Sequence, residues 1–284
     1  MATFAAHRSL ASYTETGCLH PVTVMTQGEA AVFRDRLELA EEHCRETRIM
    51  FPFNKPYMTL KLANELVRLP NILDVVETIL GPNILVWDAS FIIKEPNDEG
   101  RFTWHQDLTY WGLSPKEGVV STWLALSPST AESGCMKVVP GTHSQGILPH
   151  RDTFEPDNML SRGQALAVEI DDSQAVDVLL EPGQMSMHHT HLFHRSAPNR
   201  SADRRIGFNV QYISPHVRQV VGKFDSAMHV RGTDSIGNFG VEFPAASDFD
   251  SDGMTRWQLL DKRRRDYLFS GVENPYVDGR RPKQ

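Results

Sequence analysis

Cysteine is scarce in this chain, with three residues, Cys18, Cys44 and Cys135, in 284 positions. An odd number at wide spacings excludes a disulfide scaffold and a C-x-x-C zinc site, and fits a reducing compartment. No run of about 18 apolar residues occurs, so no helix is expected to span a membrane. The opening stretch "MATFAAHRSLASYTETG" has no long apolar core of the secretory kind, and the last three residues, Pro-Lys-Gln, are not a peroxisomal signal. A cytoplasmic setting is the resulting expectation. Excess positive charge is also missing. The net charge is -7, which argues against nucleic acid or an anionic membrane as a partner. The basic run Lys262-Arg263-Arg264-Arg265 lies in the helix-like stretch "TRWQLLDKRRRDYLF" and reads as a solvated helix face.

What is present is ample apolar content, 40% of the chain, enough for a sizeable core. Roughly the first eighty residues read as helical. Thr26 and Glu29 have capping-box spacing, and Phe33, Leu37, Ala40 and Cys44 recur at helical intervals after them. A second helix is expected over about 58–68. A third begins at Pro70, carries Ile72, Val75, Val76, Ile79 and Leu80, and stops at Gly81-Pro82. The period then changes. "NILVWDASFIIKEP", "GVVSTWLALSPS", "CMKVVPG", "QALAVEI", "AVDVLLEPG", "QMSMHHTHLF" and "RRIGFNVQYISP" are short, mostly apolar and bounded by turn residues. Many short strands after a helical start suggest a closed or double-sheet β architecture with helices outside it. One domain over 1–284 is expected: a helical part to about 82, a β core over about 83–243, and a partly helical tail over 244–284.

The chemistry-bearing signals are two. "TWHQDLTYW" contains His105-Gln106-Asp107, and residues i and i+2 of a strand share a face about 7 Å apart. An imidazole and a carboxylate so placed can grip one metal ion. Two histidines and one carboxylate form a facial triad that leaves positions open on Fe(II). The third ligand has four candidates in "HHTHLFHRSAPNRSADRR": His188, His189, His191 and His194. His194 stands out because Ser196 and the pair Arg204-Arg205 follow it. An Arg one antiparallel turn beyond a metal histidine can reach a carboxylate held near the metal, and its planar fork suits that task.

The pieces "WHQDLTYW", "STWLAL", "GCMKVVPGTH", "EPGQM" and "HRSAPNRSADRRIGFNVQY" occur together, in this order, over about 84–213. In this the sequence resembles the phytanoyl-CoA dioxygenase family of Fe(II)- and 2-oxoglutarate-dependent oxygenases. The resemblance implies a double-stranded β-helix, the cupin-like jelly roll, mainly β with flanking α and with the N-terminal helices packed outside the barrel. It implies that His105, Asp107 and His194 hold Fe(II). It further implies that Arg205 pairs with the distal carboxylate of 2-oxoglutarate, that Ser196 adds a hydroxyl hydrogen bond there, and that Trp123 lines that pocket. O2 is the second cosubstrate. Related halogenases put a small residue where this chain has Asp107, so hydroxylation is favoured over halogenation, while desaturation, epoxidation and ring formation stay open.

The neighbouring histidines divide by strand parity. His188 shares parity with His194 and is a candidate pocket residue, whereas His189 and His191 are expected to be structural or solvated, and His143 to hold its loop. Arg204 competes with Arg205, and register favours Arg205 because only one of two successive strand residues faces inward. Gln184 stands where the family usually has an acidic residue and is expected to cap a turn. Tyr110 and Trp111 are candidate substrate-pocket walls. The basic patch that a coenzyme A thioester needs is not evident near the motifs, so a small free metabolite is expected: an amino acid derivative, an aminoalkylphosphonate or a natural-product intermediate. A fatty acyl-CoA is the alternative within this chemistry. A metal-dependent jelly-roll isomerase or a non-catalytic binding protein is the alternative outside it.

Overall fold

The structure, a computed structural model, describes residues 10–222 and 224–269. Expectations that fall on 1–9 and 270–284 lie outside the described residues. The helical expectations correspond to α1 (Gln27–Thr47), α2 (Lys61–Val67) and α3 (Pro70–Leu80). Thr26 caps α1 reciprocally: its Oγ1 accepts from Glu29 N at 3.2 Å, and its own N–H donates to Glu29 Oε2 at 2.8 Å. Pro70 opens α3 and Gly81, at φ 78°, ends it. Residues 10–16 are helical as well, and a further helix, α4 (Ser251–Leu268), lies in the tail.

Two larger sheets, with two small two-stranded ones beside them, account for the strands among the described residues. The strands that matter are β1 (Cys18–Thr23), β2 (Ile84–Lys94), β3 (Phe102–His105), β4 (Val119–Ala125), β5 (Met136–Val138), β6 (Val176–Val178), β7 (Gln184–His189), β8 (His194–Ser196), β9 (Arg205–Ile213), β10 (Ser226–Arg231) and β11 (Gly240–Val241). The larger sheet runs β1-β7-β4-β9-β2-β10-β11 and the smaller runs β3-β8-β5-β6. The fold is the jelly roll that the resemblance implies, with both sheets contributing to one interior cavity.

The larger sheet reverses the usual layout of a β sandwich. Its apolar face points outward, where Ile206, Phe208, Val210 and Tyr212 of β9, Val120 and Leu124 of β4, and Met185 and Met187 of β7 join Leu37, Ala40, Leu62, Leu66, Ile72 and Val76 of the helices in one core. The alternate residues point inward and are largely polar: Arg205, Asn209 and Gln211 on β9, Ser121 and Trp123 on β4, His188 on β7. Period-2 alternation thus supplies a helix-covered apolar side and a polar lumen from the same strands.

The expectation of an all-helical start needs correction. Cys18–Thr23 is a strand, pairing antiparallel with β7. Pro21 conceals it, since proline argues against a ladder position. Here the strand lies at the sheet edge and its register shifts between Leu19 and Val22, where Pro21 sits.

Candidate metal and cosubstrate site

His105 ends β3, and Asp107 opens the 3-10 turn Asp107–Tyr110. The two therefore do not share a strand, as the spacing argument supposes. Gln106 between them is extended (φ -120°, ψ 133°), so the same-side relation survives the end of the strand. The histidine run is also not one strand. β7 stops at His189, the chain turns with Leu192 N–H donating to His189 O, and β8 of the other sheet begins at His194. Parity counted from His188 to His194 has no meaning across that turn. The two rings nevertheless meet, with centroids 5.0 Å apart, because the sheets face each other.

β8 pairs with β3 so that His194 lies directly across from His105. Their ring centroids are 4.0 Å apart. Asp107 Oδ1 lies 3.7 Å from His105 Nε2 and 3.4 Å from His194 Nε2. Among the described residues, His105, Asp107 and His194 form the group of metal-ligating side chains whose donor atoms all lie within 4.8 Å of one another. Each histidine places its Nδ1 on a backbone oxygen, Thr103 O at 2.7 Å and Leu192 O at 2.9 Å. That fixes the ring and turns Nε2 toward the carboxylate, the second-sphere arrangement that metal-ligating histidines use. The other carboxylate oxygen is held separately: Ser121 Oγ donates to Asp107 Oδ2 at 2.7 Å, and His188 Nε2 lies 3.2 Å from it.

Electrostatics follow from burial. Burial and the neighbouring His194 bring His105 down to about 4, and burial lowers His188 as well. Burial alone raises Asp107, but His194, His105 and His188 outweigh it and hold the carboxyl well below its usual range. His194 is pulled down by burial and moved the other way, to a net rise, by Asp107. The result is an ionised carboxylate ringed by imidazole nitrogens. That donor set fits Fe(II), which accepts two imidazoles and one carboxylate and keeps positions open.

The cavity beside the triad has a volume of about 510 Å³, within the usual range for small-molecule sites. Arg205 lines it, is 2% exposed, and has an Nε without a partner. Its guanidinium donates to Gly134 O and lies 4.6 Å from the Trp123 ring centroid. Arg204 faces away and pairs with Glu38, Glu41 and Glu95. Gly207 faces the indole so closely that a Cβ there would fall 1.8 Å from Trp123 Cζ2. The absent side chain is what lets Trp123 lie across β9.

Several expectations change. Tyr110 does not line the cavity: its hydroxyl donates to Asp152 at 2.7 Å and Arg162 covers its ring at 4.0 Å. Desolvation of that pair is compensated locally, so the ring turns away from the lumen. Trp111 does line it, packed on Trp87. The basic run is more than a solvated face, because Arg264 Nε donates to the buried Asp88 at 2.7 Å and both line the cavity. Gln184 Oε1 accepts from Glu181 N and closes the turn before β7. His143 reaches Thr14 O at 3.2 Å, and His189 Nδ1, at the end of β7, accepts from His191 N, so these three hold local structure. Sequence reasoning missed Ser121, Gly207, Asp88, Arg264 and Lys94. Ser121 was within reach of it, two positions before Trp123 on the same strand face.

Residues 13–207 match the family model Phytanoyl-CoA dioxygenase (PhyH). The chain belongs to this family. The rat peroxisomal phytanoyl-CoA dioxygenase is 27% identical over 201 residues, covering 69% of this chain and 59% of that protein. A probable phytanoyl-CoA dioxygenase of Caenorhabditis elegans is 29% identical, covering 52% and 49%. The chain thus spans about half the length of the curated relatives it matches. A probable alpha-ketoglutarate-dependent hypophosphite dioxygenase of Stutzerimonas stutzeri is 26% identical, covering 70% of each. Among solved structures, the apo non-heme monooxygenase ThoJ is 32% identical, covers 93% of this chain and 98% of that one, and superposes with a TM-score of 0.84. CytC3 with Fe(II) and alpha-ketoglutarate, 20% identical at a TM-score of 0.64, shares the fold. The hypophosphite dioxygenase is named for alpha-ketoglutarate and CytC3 was solved with Fe(II) and alpha-ketoglutarate; the His105–Asp107–His194 group here is a donor set of the kind that suits Fe(II). No described helix is long and apolar enough to cross a membrane.

Proposed function

We propose that this chain is one oxygenase domain that hydroxylates a small-molecule metabolite: an amino acid derivative, an aminoalkylphosphonate or a natural-product intermediate. His105, Asp107 and His194 hold Fe(II). Arg205 and Ser196 hold the distal carboxylate of 2-oxoglutarate, with Trp123 beneath. When bound, the iron and 2-oxoglutarate supply the capacity to activate O2 and oxidise a C–H bond. The protein's own residues do the rest. Ser121 and His188 fix one oxygen of Asp107 so that the other faces both imidazoles. Trp111, Phe154, Leu268 and Phe269 wall the cavity and exclude water, while Asp88, Asn209 and Gln211 offer polar contacts for a substrate. The cavity's modest volume supports a compact substrate over a long acyl chain with its thioester.

The observation that carries the reading is Arg205, a buried arginine in the lumen with no ion-pair partner among the described residues. A buried charge is retained only if something compensates it, and a dicarboxylate cosubstrate does so. A metal-dependent isomerase has no need of a dicarboxylate clamp, and a non-catalytic binding protein has no need of the intact triad. The test is oxygen- and iron-dependent conversion of 2-oxoglutarate to succinate by the purified protein, followed by a metabolite screen for the gain of one oxygen. Absence of conversion under ferrous iron and ascorbate refutes the reading.

A further inference from the structure

Beside the cosubstrate end of the cavity lies a second basic side chain that neither the triad nor the Arg205 clamp explains. Lys94, the last residue of β2, stands directly across from Arg205, the first of β9. It is fully buried. Its Nζ donates to Ser196 Oγ at 2.7 Å and to Ala197 O, and lies 5.5 Å from the Phe102 ring centroid. Among the described residues it forms no ion pair. Two basic side chains thus lie side by side on one sheet face, and one of them grips the hydroxyl expected to meet the cosubstrate.

We propose that Lys94 completes the dicarboxylate end of the cosubstrate site as a positioning residue, fixing Ser196 Oγ for the distal carboxylate and adding positive charge beside Arg205. The proposal rests on the function proposed above. The geometry gives the mechanism. Because Nζ donates to Ser196 Oγ, the hydroxyl hydrogen of Ser196 is left to point into the lumen, where a carboxylate oxygen can accept it.

A second consequence concerns protons. Burial, then the adjoining Arg205, brings the Lys94 amine down to about 6. The groups facing it are few: Arg205 on β9, which lowers it, and Asp98 on the turn after β2 and Cys135 before β5, which raise it. Ser196, Ala197 O and Phe102 complete its surroundings and carry no charge. The amine is therefore neutral in the cosubstrate-free protein above about pH 6. A dianion placed beside it favours the charged form, so binding takes up a proton at Lys94. The sign is fixed by linkage. Proton uptake on binding means that 2-oxoglutarate affinity falls as pH rises above the empty-site value, by up to about tenfold per unit.

The test is calorimetric titration of the anaerobic Fe(II)-loaded protein with 2-oxoglutarate at pH 7.5, in two buffers of different ionisation enthalpy. Wild type is expected to bind with uptake of on the order of one proton. Lys94→Met is expected to bind roughly ten- to a hundredfold more weakly, the worth of a charge-assisted hydrogen bond, and to lose that uptake. In a double-mutant cycle Ser196→Ala and Lys94→Met are expected to be non-additive, because Lys94 acts through Ser196. Wild type that binds 2-oxoglutarate without buffer-dependent heat overturns the proposal even if Lys94→Met fails to fold. Loss of binding in Arg205→Ala with unchanged affinity and uptake in Lys94→Met overturns the role of Lys94 alone. No binding by wild type overturns it together with the function beneath it.

Discussion

At the triad end of the cavity one ionised carboxylate, Asp107, sits among His105, His188 and His194. At the other end Arg205 and Lys94 sit together, and neither forms an ion pair among the described residues. Both ends are buried and both belong to the lumen of one jelly roll. The first presents donors suited to a cation and the second presents donors suited to an anion. Elsewhere in the protein buried charges are closed within the chain, as when Lys55 pairs with Glu242 at 2.6 Å and Glu242 also accepts from Tyr57. The contrast shows where charge is left for a ligand: a folded protein tolerates an uncompensated buried charge only where a partner arrives.

The largest effect is expected from breaking the triad end. His105→Ala, Asp107→Ala and His194→Ala should each lose bound iron and turnover while the fold persists, and His191→Ala should keep its iron. Iron per chain, measured after anaerobic loading, decides this, and a variant of His194 that retains iron while His191→Ala loses it reverses the ligand choice. At the opposite end, Arg205→Ala should raise the apparent Michaelis constant for 2-oxoglutarate on the order of a hundredfold, the loss of a bidentate charged pair. Arg205→Lys should recover only part, since a point charge cannot fork. Arg204→Ala should leave that constant nearly unchanged, its partners being Glu38, Glu41 and Glu95 on the outside.

A smaller effect should come from the floor beneath that clamp. Gly207→Ala puts a methyl into the Trp123 ring, an overpacking that costs about 1–3 kcal/mol. Both the thermal midpoint and 2-oxoglutarate affinity should drop. A lower midpoint with unchanged affinity would show that Trp123 does not support the clamp. Smallest is Ser121→Ala, which removes one donor to Asp107 Oδ2. Second-sphere losses of this kind cost about tenfold in metal affinity, read by competition with a chelator, and His188 should retain the rest. Equal iron affinity in Ser121→Ala and wild type would place the control of Asp107 entirely on His188.

Much of the site was legible because its pieces are local. His105 and Asp107 lie two residues apart, and Ser196 and Arg205 follow His194 within eleven residues, across one connection between the two sheets. Strand alternation alone separates Arg205 from Arg204, and the observed faces agree with that register. The reading of His188 reached the lumen by a faulty route, since it treated two strands of opposite sheets as one. Tyr110 was misplaced because its partners, Asp152 and Arg162, lie on a loop whose return to the ring no spacing reveals.

The sequence by itself determined the helix caps and the apolar periodicities. It also determined the run of short strands that follows Gly81 and the compound motif that carries the family resemblance. Those are near-neighbour properties, set by backbone sterics and the repeat of side chains along one element. Tertiary structure alone decided that Cys18–Thr23 becomes an edge strand on β7, that Arg264 of α4 meets Asp88 of β2, and that Lys94 ends beside Arg205. Each of these joins residues far apart in the chain. What selects them is the sum of burial, pairing and charge over the whole fold, which no local stretch of sequence contains.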